Sequence, residues 1–84
     1  MFELTYAEGW DRHFSKFDNS VKQKIWKKIQ QIKILVNPRH LRHGEAFFVE
    51  EAGQYRICFE QAGAGTRRIT FVGNHKQYEK WYKR

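Results

Sequence analysis

The side chains best suited to chemistry are His75 and Arg56, both in the second half of the chain. An imidazole passes protons near neutral pH, and the planar guanidinium fork matches phosphate oxygens. Together they suit metal-free cleavage of an RNA phosphodiester. That reaction needs a proton acceptor for the attacking 2′-hydroxyl, a proton donor for the leaving oxygen and cations around the charged phosphorane. Arg56 sits among alternating residues, on the side opposite Tyr55 and Ile57, so an ordinary exposed strand arginine is the plain alternative. His75 follows Gly73-Asn74 at the end of a strand-like run. Functional groups often sit at such ends, although a loop or capping histidine would look the same.

Other reactive side chains carry less. His40 and His43 have near-ligand spacing, but no cysteine or carboxylate stands at a matching distance, so no metal site and no cofactor is expected. His13 lies beside Phe14 and reads as structural. Cys58 has no activating neighbour in sequence and reads as a small sheet residue. As the single cysteine of the chain, it excludes an internal disulfide.

The 84 residues carry a formal net charge of +7, which points to a polyanionic partner such as nucleic acid or an acidic protein. With 40% hydrophobic and 17% aromatic residues, the chain has enough apolar surface for a core. It is expected to form one domain over residues 1–84. No membrane-length apolar run or signal-like start is found, so the expected setting is cytoplasmic, with no membrane partner.

Periodicity supplies the elements. Phe2-Glu3-Leu4 suits a short strand, and Thr5-Tyr6-Ala7-Glu8 reads as a capping box with Thr5 as N-cap. Trp10, Phe14 and Phe17 then share a helical face, and Asp18-Asn19-Ser20 breaks that helix and caps the next. Val21, Ile25, Ile29 and Ile32 make the second helix amphipathic. Lys24 and Lys28 belong to its lysine-rich, acid-free remainder, which either lies along phosphates or is simply solvated. Asn37-Pro38 ends it, and a His/Arg/Gly loop from Arg39 to Gly44 follows.

Beyond the loop the period becomes two. Phe47 and Val49, then Tyr55, Ile57 and Phe59, then Ile69 and Phe71 mark three strands, with turns at Gly53 and Ala62–Gly65. Ile69 and Phe71 are expected on one face, Arg68 and Thr70 on the other. The face bearing Arg56 is expected to be open to solvent. Asn74 caps a last helix with Gln77 at its N3 position, and Tyr78, Trp81 and Tyr82 form its aromatic face. The order β-α-α-β-β-β-α, with helices segregated from an antiparallel meander, is an α+β fold.

At Leu41, Tyr55-Arg56-Ile57 and Val72-Gly73-Asn74-His75 the chain resembles the RelE/ParE superfamily of toxins from toxin–antitoxin pairs. Gly73-Asn74-His75 is similar to the Gly-Thr-His of the YafQ-like branch. The resemblance covers nearly the whole chain. It implies a helical hairpin packed on a small sheet and a toxin that cuts messenger RNA on the ribosome to inhibit translation. It also implies a protein antitoxin, which the basic surface predicts to be acidic.

By that resemblance Arg56 matches the arginine that binds the scissile phosphate and His75 the general acid/base. Tyr78 or Trp81 falls near where a terminal aromatic contributes to catalysis. The pattern departs where RelE carries lysines, since the first meander strand here reads Phe47-Phe48-Val49-Glu50-Glu51. One of those acids could act as a base, as a glutamate does in YoeB-like relatives. Lys76, Arg67 and Arg68 are the candidates to replace the missing charge. The alternatives are a ParE-like inhibitor of DNA gyrase and a non-catalytic basic module for RNA or protein.

Overall fold

The structure is a computed structural model that describes residues 1–34 and 47–83. Its elements are β1 (Glu3–Tyr6), α1 (Trp10–Ser15), α2 (Asn19–Ile32), β2 (Phe48–Ala52), β3 (Tyr55–Gly63), β4 (Thr66–Asn74) and α3 (His75–Lys83). The strands form one mixed sheet in the order β1-β4-β3-β2. β2, β3 and β4 are the expected antiparallel meander, and β1 adds to β4 in parallel. The class is α+β. Asn37-Pro38, His40, Leu41, His43 and the loop around them lie outside the described residues.

α2 covers one face of the sheet because Ile25, Ile29 and Ile32 recur on one side of the helix and are fully buried there. They meet Ile57, Phe59, Ile69 and Val72 from β3 and β4. Asp18 starts the helix as expected. Its carboxylate accepts from the Val21 N–H at 3.0 Å and from the Ser20 hydroxyl at 2.9 Å, and these bonds lower its pKa. The far end is finished from the sheet, where the buried Arg67 donates through Nη1 to the Ile32 carbonyl at 2.7 Å. That carbonyl has no partner within the helix itself.

Four sequence expectations are corrected. Thr5 is not a helix cap; it pairs with Arg68 as part of β1, and Gly9, at φ 86°, caps α1 instead. Sheet pairing satisfies the Thr5 backbone without a turn. α1 stops at Ser15, so Phe17 lies beyond it and packs edge-on against Tyr55.

The third correction concerns face assignment in β4. Cys58 pairs with Phe71 but Phe59 pairs with Ile69, which leaves Thr70 as an extra residue on β4. Such a bulge reverses which residues share a face. Ile69 therefore points to the α2 side while Phe71 joins Cys58 and Tyr78 on the other. The fourth follows, because the face of Arg56 is not open throughout. α3 folds back over it, and Tyr78, Trp81 and Tyr82 gather with Cys58, Phe71, Phe47 and Val49.

Candidate active-site cleft

One rung of the sheet sets the site. Glu51 of β2 stands opposite Arg56 of β3, and Arg56 stands opposite Gly73 of β4. The first pair is joined by an ion pair, Glu51 Oε2 to Arg56 Nη2 at 3.4 Å. On the other flank Gly73 presents no side chain. A Cβ there would lie 2.7 Å from Phe71 Cζ and 3.0 Å from Gln77 Cβ, so the glycine lets α3 descend onto the sheet directly after β4. The Tyr78 ring then comes beneath the guanidinium, with Arg56 Cζ 5.1 Å from its centroid, within cation–π range.

The start of α3 is held by a reciprocal capping box. The Gln77 N–H donates to Asn74 Oδ1, and Gln77 Oε1 accepts from the Asn74 N–H, each at 2.8 Å. His75 and Lys76 are thereby the first two helical residues, where acids are usually favoured by the helix dipole. The Lys76 ammonium beside the partly positive helix end is a concentration of positive charge that an anion would relieve. His75 is 61% exposed, and its Nε2 lies 3.4 Å from Glu79 Oε2 one turn along.

Glu51, Gly53, Gln54, Arg56, Asn74, His75 and Lys76 line one cleft of about 420 Å³. The fold thus brings Arg56, His75 and Lys76 together, with Glu51 as an acid among them. It places the other candidates elsewhere. Tyr78 is only 4% exposed; burial raises its pKa, with Arg56 pulling the other way, and its ring is a platform under Arg56. Arg67 is 2% exposed on the α2 side, with the Phe2 ring 3.6 Å from its Cζ, so it has no face left for RNA. Arg68 pairs with Glu60 on the neighbouring strand, some four residues, or about 13 Å, along β3 from Arg56. Lys24 and Lys28 ride on α2, across the sheet from the cleft, and Lys28 lies 3.9 Å from Glu50.

Burial pushes the Cys58 thiol well up, which keeps it protonated and unreactive. Sequence reasoning did not single out Gln54 or Glu79. The i, i+4 spacing of His75 and Glu79 was the available signal for the second; nothing marked the first. Among the described residues no helix is long and apolar enough to cross a membrane.

No protein-family model matches the chain, and no curated protein matches it by sequence. Solved structures do. The isolated RelE toxin of E. coli aligns with a TM-score of 0.72 over 99% of this chain and 97% of that one, at 15% identity. The toxin–antitoxin complex RelBE of E. coli gives a TM-score of 0.72 at 15% identity, covering 88% of this chain and 96% of that chain. The RelB–RelE complex of Methanococcus jannaschii gives 0.69 at 12% identity, covering 93% and 98%. The fold is that of RelE-like toxins.

Proposed function

Proceeding from that fold, we propose that the protein is the toxin of a toxin–antitoxin pair and a ribosome-dependent endoribonuclease that cuts messenger RNA. The observation that carries this reading is the shared cleft of Arg56, His75, Lys76 and Glu51. Arg56 binds the scissile phosphate and stabilises the phosphorane, with Lys76 adding charge from the start of α3. The 2′-oxygen attacks phosphorus, and the bond from phosphorus to the 5′-oxygen breaks. Glu51 accepts the 2′-hydroxyl proton and His75 delivers one to the leaving 5′-oxygen. The products are a 2′,3′-cyclic phosphate and a 5′-hydroxyl. Tyr78 acts through Arg56, as a positioning residue.

In this reading the Glu51–Arg56 pair opens when substrate phosphate competes for the guanidinium, which frees the carboxylate to act as base. Glu51 thereby answers the absence of the family's lysines on β2: charge comes from α3, and the strand supplies the base. The protein partner is an acidic antitoxin that neutralises the +7 chain.

The test is cleavage of a defined messenger RNA in a cell-free translation system, mapped by primer extension, with and without ribosomes. Wild type is expected to cut only when ribosomes are present, and His75→Ala to lose about 10²-fold or more, as for a general acid. RNA left intact by wild type sinks the nuclease reading and favours the gyrase inhibitor or the binding module.

A further inference from the structure

The cleft does not end at Lys76. Asn74 and Lys76 also line a second hollow, of about 660 Å³, that continues along α3 past Gln77, Glu79, Lys80 and Lys83. Lys76, Lys80 and Lys83 are spaced four and three residues apart, the spacing that places side chains on one helical face. At 1.5 Å per residue their stripe runs about 10 Å. Glu79 is the only acid of α3, and its carboxylate is turned to His75 at 3.4 Å. The opposite side of the helix holds Tyr78, Trp81 and Tyr82 against the sheet. α3 is therefore anchored by one face and presents a cationic face that begins in the cleft.

We propose that this stripe is a binding track for the substrate strand, with Lys80 and Lys83 holding phosphates of single-stranded RNA beyond the one that is cut. The inference rests on the ribonuclease reading for the identity of the strand, and it assigns the lysines of α3, not those of α2, to RNA. Two features select this occupant. The charge is complementary to a polyanion, and the hollow is continuous with the cleft through two shared residues. Contacts of this kind supply affinity and register but no base choice. The track therefore predicts that codon preference, where present, is set at the cleft or by the ribosome.

The experiment is fluorescence anisotropy of a labelled 2′-O-methyl oligoribonucleotide, which lacks the attacking hydroxyl and cannot be cut, titrated with full-length protein across salt concentrations. Removing two phosphate contacts lowers the slope of log K against log salt by about 1.4, equivalent to roughly 25-fold weaker binding at 0.1 M salt. K80Q/K83Q is expected to show that loss. K24Q/K27Q, which removes the same charge from exposed positions of α2, is expected to lose little, and K80R/K83R to restore binding. Equal losses from the two glutamine pairs, or a larger one from the α2 pair, overturn the track. So does unchanged RNA binding by K80Q/K83Q accompanied by lost binding to polyglutamate, which would assign α3 to an acidic protein. Because the RNA is uncleavable, the track can stand or fall whether or not the chain cuts messenger RNA in translation.

Discussion

Arg56 and Arg67 lie on adjacent strands of the same sheet and have opposite fates. Arg56 projects to the α3 side, half-exposed, with an aromatic platform below and a carboxylate beside it. Arg67 projects to the α2 side, where it is buried and tied to the Ile32 carbonyl, and where the Phe2 ring covers it. The residue type is the same; the face and the neighbours differ. An arginine over a ring in an open cleft keeps donors free for a ligand. One whose donors end on a helix terminus is committed to the fold. Basic residues counted from sequence thus separate into those left open in a cleft and those that hold the structure together.

Substitutions sharpen this contrast. The largest expected effect is on activity, where Arg56→Ala should lower cleavage by about 10²- to 10³-fold, as loss of a transition-state donor does. Its cost in stability should stay below about 1 kcal/mol, because the ion pair with Glu51 is partly exposed. Arg67→Ala should do the reverse, losing about 2–4 kcal/mol in urea unfolding by orphaning a buried carbonyl and leaving a void. Equal stability losses from the two arginines would break the comparison.

Gly73→Ala is expected to fall between them, at about 1–3 kcal/mol, because the added methyl meets Phe71 and Gln77 at the base of α3. The pH at which each site weakens supplies the smallest test. The folded pKa of Asp18 is lowered below its ordinary value of 3.8. Its stabilisation is therefore present above the unfolded pKa and lost as pH falls through the folded one. Asp18→Asn should flatten that acid limb of the stability profile while leaving cleavage at neutral pH unchanged. A profile identical to wild type would remove the carboxylate from the account of α2.

Much of this is legible in the sequence alone. Ile25, Ile29 and Ile32 announced the buried face of α2 because helical periodicity is a local property, and Asp18 and the Asn74–Gln77 box were readable because caps are short-range. Arg56 and His75 are nameable from chemistry, and a base is readable at Glu50 or Glu51, but the choice of Glu51 comes from its pairing with Arg56. Thr5 misled because a capping box and a strand end look alike until the strand finds its partner. The fate of Arg67 was hidden because the carbonyl it satisfies belongs to Ile32, 35 residues earlier in the chain.

By itself, then, the sequence determined the element order, the buried face of α2, the starts of α2 and α3 and the chemical character of the candidate site, all of which depend on neighbours a few residues apart. Only the tertiary structure decided which cations share a cleft. The Thr70 bulge turned Phe71 toward α3, Gly73 let that helix descend, and the pairing of β2 with β3 set Glu51 beside Arg56. The physical reason is that strand register and bulge position depend on packing between segments distant in sequence, and a one-residue shift exchanges the two faces of a strand.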